Sequence, residues 1–97
     1  MTDVDVENNP AESRYEAWVD GKLAGFAEYT ITGEAMVFTH TEVSDEFEGR
    51  GVGGGLARGA LDDVRAGGRY GVVPRCPFIK GWIEKHPDYE SLVLKHS

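Results

Sequence analysis

Polar and apolar residues alternate with a period of two along three segments in the first half of the chain, residues 14–19, 23–31 and 35–43. This period is typical of strands that bury one face. Asp20-Gly21 separates the first two segments and Thr32-Gly33-Glu34 separates the last two, and both are turn sequences. The pattern therefore predicts a three-stranded antiparallel meander.

The second half of the chain changes to helical spacing. Six apolar residues recur at this spacing: Val52, Leu56, Ala57, Ala60, Leu61 and Val64. Gly67-Gly68 ends the predicted helix, residues 70–73 follow as a short strand, and a second helix begins at Pro77 and ends near His86-Pro87. Residues 91–94 are predicted as a short closing strand. Because a helix connects the third strand to the fourth, these two strands should be parallel, with a right-handed crossover.

The order of these elements predicts an α+β fold. Its mixed sheet consists of the antiparallel three-stranded meander followed by a βαβ crossover and a C-terminal helix. Residues 1–13 are polar, rich in Asp, Glu and Asn, and contain Pro10, so they are predicted to be a disordered acidic tail. Residues 14–97 are predicted to be a single domain, because a chain of 97 residues can bury one modest core.

Glycine is concentrated where the third strand meets the first helix, in the stretch Glu48-Gly49-Arg50-Gly51-Val52-Gly53-Gly54-Gly55. Glycine admits close backbone approach and positive φ, which turns successive N–H groups towards one point. The free N–H groups and the dipole of the following helix add to the positive potential. Each glycine inside a helix costs about 1 kcal/mol relative to alanine, which indicates that these positions have a use. The stretch therefore predicts a cradle for a phosphate or pyrophosphate.

The bulk composition argues against several classes of function. The net charge of −7 argues against unaided binding of nucleic acid, and no apolar run approaches the roughly 20 residues that cross a bilayer. The single cysteine and the acidic N-terminus, which lacks signal-peptide character, predict a cytoplasmic protein. The histidines and the cysteine lack the spacing of metal ligands. The acidity either keeps the protein soluble or attracts a cationic substrate such as an amine.

The glycine stretch also resembles a known signature. Residues 43–53, Val43-Ser44-Asp45-Glu46-Phe47-Glu48-Gly49-Arg50-Gly51-Val52-Gly53, are similar to the acyl-CoA motif of the GNAT superfamily of N-acyltransferases, Arg/Gln-x-x-Gly-x-Gly/Ala, with Glu48 in place of the Arg or Gln. Three other motifs resemble the short, single-domain YjdJ-type branch: His40-Thr41-Glu42-Val43, Val73-Pro74-Arg75-Cys76-Pro77-Phe78-Ile79 and Trp82-Ile83-x-x-His86-Pro87-x-Tyr89. The resemblance covers residues 14–93.

The resemblance implies a GNAT-like fold that binds acetyl-CoA or CoA and transfers an acetyl group to an amine. The amine would belong to a small molecule or to a protein lysine or N-terminus. Contacts to the cosubstrate are expected from Val43, Glu48, Gly49, Arg50, Gly51, Val52, Gly53 and Gly54. Arg58 and Lys80 are further candidates to reach its phosphates. Metal, nucleic acid and membrane are not expected as partners, and the protein is expected to be a monomer or a weak dimer.

Two residues are candidates for catalysis. Cys76 stands at the predicted N-cap of the second helix, where the helix dipole favours a thiolate, and would suit an acetyl-cysteine route. Alternatively it is a buried, inert thiol. Strand alternation places His40 on the face of Met36 and Phe38, where it would act as a general base, bond to Cys76 or simply pack. Glu42 shares that face and is a weaker candidate for the base.

Three functions remain open from the sequence. In the first, the amine attacks the acetyl carbonyl directly while backbone N–H groups near Val43 polarise that carbonyl. In the second, the protein is a CoA-binding or regulatory module without efficient turnover, since Ile83 stands at the family's usual place for a catalytic tyrosine. Tyr89 would then be either a displaced general acid or a packing residue. In the third, the protein is an interaction domain whose glycine stretch is structural.

Overall fold

A computed structural model describes residues 4–94 and arranges five strands into one mixed sheet. The strands lie side by side in chain order: β1 (Asp5–Asn9), β2 (Arg14–Val19), β3 (Lys22–Thr32), β4 (Ala35–Val43) and β5 (Gly71–Pro74). Strands β1 to β4 pair with one another in antiparallel orientation, and β5 pairs with β4 in parallel orientation. The predicted α+β class and the parallel crossover are confirmed.

Within residues 4–94, two α-helices accompany the sheet. Helix α1 (Val52–Gly67) makes the crossover from β4 to β5, and α2 (Pro77–Lys85) follows β5. Short 3-10 helices span Asp45–Phe47 and Pro87–Leu92. The closing strand predicted for residues 91–94 is wrong: this segment makes one parallel bridge, Val72 to Val93, because the 3-10 helix occupies the chain up to residue 92.

Strand β1 corrects the predicted disordered tail. It pairs in register with β2, from Asp5 opposite Trp18 to Asn9 opposite Arg14. The alternation of Val6 with acidic neighbours is too short to stand out in the sequence, and its packing partner is distant, on α1. The antiparallel part of the sheet therefore has four strands, not three. Residues 1–3 of the predicted tail lie outside the described residues.

A β-bulge in β4 decides which side chains share a face. Tyr29 pairs with Phe38, but its neighbour Glu28 pairs with His40, so Thr39 is the extra residue. An extra residue reverses the alternation beyond it. The expectation that His40 shares the face of Met36 and Phe38 is therefore wrong.

The bulge leaves a sheet with two unlike faces. The inner face, packed against α1 and α2, consists of Tyr15, Ala17, Val19, Ala27, Tyr29, Met36, Phe38 and Thr41. The outer face consists of Asp5, Glu7, Arg14, Glu16, Trp18, Leu23, Phe26, Glu28, His40 and Glu42. Both helices pack on the inner side, where Leu56, Leu61 and Ile79 are fully buried.

Candidate functional site

The loop between β4 and α1 contains two glycines in the left-handed region. Gly49 has φ 78° and Gly51, the N-cap of α1, has φ 77°. A Cβ added at either position would meet nothing within 4 Å, so both backbones border open space. The first helical hydrogen bond of α1 runs from Gly55 N–H to Gly51 C=O at 3.0 Å. The N–H groups before Gly55 are thus the free donors of a helix N-terminus, and they lie next to that space.

The glycines inside α1 have a different explanation. A Cβ on Gly53 would lie 2.8 Å from the Phe78 ring, and one on Gly59 would lie 2.7 Å from Val6. Gly55 likewise leaves room for Val4, whose Cβ would be 3.3 Å away. These glycines let α2 and the chain around β1 approach α1 closely. Packing therefore explains why glycine is kept inside the helix despite its cost in helix stability. The sequence-based argument that this cost indicates a ligand does not hold for these positions. Only Gly49 and Gly51 combine a positive φ with open space within this stretch.

Strands β4 and β5 separate just beside the loop. Their pairing ends at Phe38 and Pro74, where the N–H groups of Arg75 and Cys76 both donate to Phe38 C=O, at 3.0 and 2.9 Å. From residue 39 to residue 43, no described strand pairs with the β5 side of β4. This free edge continues through the 3-10 helix Asp45–Phe47 into the glycine loop.

The backbone at the end of this edge faces the opening. Ser44 N–H donates to Ala24 C=O on the β3 side at 2.8 Å. Because backbone groups alternate between the two sides of a strand, the Val43 N–H points to the opposite, unpaired side. An acceptor placed between β4 and β5 would find this donor.

Cys76 is the N-cap of α2, as predicted, and is only 3% exposed. Its Sγ lies 3.1 Å from Oγ1 of Thr41, the inner-face residue just beyond the bulge. The proposed bond between Cys76 and His40 is absent, because the bulge turns His40 to the other face. The thiol therefore lies at the inner side of the β4–β5 opening with a hydroxyl, not an imidazole, as its partner.

His40 and Glu42 form a pair on the outer face. Their Nε2 and Oε2 atoms are 3.0 Å apart, and the two side chains are 53% and 60% exposed. The His40 ring also lies 6.3 Å from that of Phe26. The pair thus places an imidazole nitrogen and a carboxylate oxygen side by side at the exposed surface of the sheet.

Tyr89, on the C-terminal 3-10 helix, is held by contacts with α1. Its hydroxyl donates to Asp62 Oδ1 at 2.7 Å and accepts from Arg58 Nη1 at 3.2 Å. The bond to Asp62, helped by burial, raises the pKa of Tyr89. The packing interpretation therefore accounts for its position, and its proton is already committed.

The remaining cations and histidines mostly pack against aromatic rings. His86 caps the end of α2, as expected, and stacks on Trp82 with ring centroids 3.9 Å apart. Arg58 lies over the Trp82 ring, 5.4 Å from its centroid, which holds it against α2. The Arg50 guanidinium lies 5.7 Å from the centroid of Phe47, in the glycine loop itself, and Lys80 is exposed.

Among residues 4–94, no three His, Cys, Asp or Glu side chains are grouped so as to hold a metal ion. Within the same residues, neither helix has the length and apolar character needed to span a membrane.

Comparison with known proteins places the fold in one family. No curated protein matches the sequence. The solution structure of a GCN5-like protein from Staphylococcus aureus superposes with a TM-score of 0.70 and 22% identity, covering 100% of this chain and 94% of that one. A ribosomal-protein-alanine N-acetyltransferase from Brucella melitensis biovar Abortus 2308 superposes with a TM-score of 0.58 and 21% identity, over 87% of this chain but only 62% of that one.

Both structural similarities concern the fold, whereas a family profile addresses the sequence. The profile of the GCN5-related N-acetyl-transferases matches residues 14–92, which is most of the chain. The YjdJ-type branch stays a prediction. The chain belongs to the GCN5-related N-acetyl-transferase family.

Proposed function

We propose that the protein binds acetyl-CoA and transfers its acetyl group to an amine. The observation that carries this proposal is the opening between β4 and β5, which ends at a glycine loop and a helix N-terminus. A long, thin cosubstrate with a pyrophosphate at one end suits such a site. Membership of the family supports the same chemistry.

The residues present fit the cosubstrate. Backbone N–H groups of Gly49 and of residues 51–54 would hold the pyrophosphate, because Gly49 and Gly51 keep the loop open and the helix dipole favours an anion. Arg50 adds a positive charge within the loop. Glu48 is exposed, so its carboxylate can turn to water and need not face a phosphate. Bound acetyl-CoA would supply an activated acyl group as a thioester.

The chain would contribute polarisation and proton transfer. Val43 N–H points to the unpaired side of β4 and would donate to the acyl carbonyl oxygen. The His40 imidazole, which lies beside Glu42, would take a proton from the incoming ammonium group, so that the neutral amine can attack the thioester carbonyl. Cys76 and Thr41 would line the inner side of the opening and exclude water. An acetyl-cysteine route through Cys76 is the secondary form of the proposal.

The first test is a calorimetric titration of CoA and acetyl-CoA into the protein and into the variants Gly51→Asp and Gly33→Asp. Gly33 also has positive φ, 60°, and open space, but lies in the turn at the other end of β4. Both variants carry similar backbone strain, and only Gly51→Asp places a side chain and a carboxylate in the cradle. We expect saturable binding that Gly51→Asp abolishes and Gly33→Asp retains. No binding to the unsubstituted protein would overturn the proposal.

A second function remains: a CoA-binding module without efficient turnover. It is favoured by the engagement of Tyr89 with Asp62, which commits the hydroxyl proton of this candidate general acid. Release of free CoA from acetyl-CoA in the presence of a panel of amines separates the two functions. Turnover that falls about a hundredfold in His40→Gln, with unchanged CoA affinity, would support the transferase. Binding without turnover would support the module.

A further inference from the structure

The outer face of the sheet is uncovered although it carries apolar side chains. Leu23 is 36% exposed, and Phe26 and Trp18 are half-buried. Leu23, Phe26 and Glu42 line a groove of about 150 Å³ whose floor is the backbone of Gly25. The groove has room for one apolar side chain of a partner.

The charges around this groove are mostly negative. Arg14, the cation of the face, is already bonded to Glu16 at 2.9 Å and lies 4.7 Å from the Phe26 centroid. Among residues 4–94, no lysine or arginine lies within ion-pair distance of Asp5, Glu7 or Glu28. Within the described part of the chain, the ion-pair partner of Glu42 is His40, which is charged only when protonated. The face therefore presents an unbalanced negative potential.

The route to the proposed acyl site passes over this face. On the inner side, α1 and α2 bury the sheet, and Cys76 is 3% exposed. On the outer side, His40 and Glu42 are more than half exposed and border the free edge of β4. An acceptor amine that reaches His40 must therefore cross the outer face.

We propose that the outer face docks a lysine-rich polypeptide segment, one of whose amines is the acetyl acceptor. Its cationic side chains would pair with Glu7, Glu28 and Glu42, and an apolar side chain would enter the groove beside Phe26. The docking proposal depends on the proposed acetyl transfer only where it states that the docked amine is acetylated. Docking itself is a separate, measurable event.

The docking test uses a short fluorescein-labelled peptide of lysines with a central leucine. Its matched control is the same peptide with every lysine acetylated, which keeps the shape and removes the charge. Fluorescence anisotropy measures affinity without CoA. The variant Glu7→Gln/Glu28→Gln neutralises the face and leaves His40 and Glu42 untouched. Glu34→Gln/Glu84→Gln removes two exposed carboxylates elsewhere, in the β3–β4 turn and on α2.

We expect the lysine peptide to bind and the acetylated peptide not to bind. Glu7→Gln/Glu28→Gln should weaken binding roughly three- to tenfold, while the variant of Glu34 and Glu84 binds as before. Raising the salt from about 50 to about 300 mM should weaken binding to the unsubstituted protein more than to the neutralised one. In a transfer assay, the neutralised variant should raise KM for the peptide.

Two outcomes would overturn the docking proposal: equal binding of both peptides, or equal loss in both double variants. Either could occur while acetyl-CoA still binds and small amines are still acetylated, which would leave the proposed function standing. Failure to bind acetyl-CoA would overturn the proposed function and not the docking result. Thermal unfolding of each variant verifies that the fold is retained.

Discussion

The Oγ1 atom of Thr41 lies 3.1 Å from the Sγ atom of Cys76, and this contact joins β4 to the N-cap residue of α2. It exists because the bulge at Thr39 brings Thr41 to the inner face. The contact gives the buried thiol a polar partner.

Thr41→Val should remove that partner while keeping the shape of the side chain. We expect the free energy of unfolding to fall by about 1 kcal/mol, because the buried thiol loses its hydrogen bond. Urea denaturation measures the change. Thr30→Val, at an exposed position of β3, is the matched control and should be nearly neutral. Equal effects in the two variants would show that the Thr41 hydroxyl contributes nothing.

Gly59→Ala should destabilise the protein although alanine is the better helix former. The added methyl would lie 2.7 Å from Val6, and overpacking of this kind costs about 1–3 kcal/mol. Gly67→Ala, with nothing within 4 Å, is the control and should be neutral or stabilising by up to about 1 kcal/mol. Adding Val6→Ala to Gly59→Ala should restore part of the loss. Thermal melts would contradict the proposed packing if both alanine variants gained stability.

Glu16 should make stability depend on pH. Burial by itself would raise the pKa of Glu16, but hydrogen bonds from Asn9 and Arg14 outweigh it, and the net result is a pKa below 4.5. A folded-state pKa below the unfolded one stabilises the fold above the unfolded value, and this contribution is lost as the pH falls through the folded value. Glu16→Gln should therefore be less stable than the unsubstituted protein at neutral pH. The difference should shrink below pH 4.5.

Urea denaturation at a series of pH values measures this difference, with the exposed Glu34→Gln as control. For Glu34→Gln we expect little change across the range. A Glu16→Gln difference that stayed constant down to about pH 3 would show that the carboxylate is not selectively stabilised in the fold.

Tyr89→Phe should affect stability and not acetyl transfer. The lost hydroxyl joins Asp62 to Arg58, and its removal should cost about 1 kcal/mol of unfolding free energy. The kcat of any acetyl transfer should stay within a factor of about two, whereas loss of a general acid costs about a hundredfold or more. Steady-state kinetics beside urea denaturation distinguish the two roles. A large fall in kcat would restore Tyr89 as the acid.

The sequence predicted β2 to β5 and both helices because each has a clear period and clear ends. Asp20-Gly21 and Gly67-Gly68 mark turns or helix ends by local chemistry alone. Strand β1 escaped prediction because its stability comes from pairing with β2 and from packing on Gly55 and Gly59, which lie about fifty residues away. No local pattern contains that information.

The candidate site, too, was predictable from the sequence only in part. The N-cap position of Cys76 follows from Pro77, and the structure agrees. The face of His40 does not follow from alternation, since one bulged residue reverses it. No sequence signal marks the bulge, because residue 39 is a threonine and not a glycine or proline. The cosubstrate contacts of residues 43–54 stay predictions.

The packing of β1 on the glycines of α1 determines how far the chain can be shortened from its N-terminal side. The family profile begins at Arg14, and a shortened chain that began there would lack β1. Gly55 and Gly59 would then face water. Strand β2 would become an edge strand with unpaired backbone groups, and these could pair with β2 of another molecule. Recombinant versions trimmed to the profile should therefore self-associate, and the residues before Arg14 belong to the smallest unit that stays monodisperse.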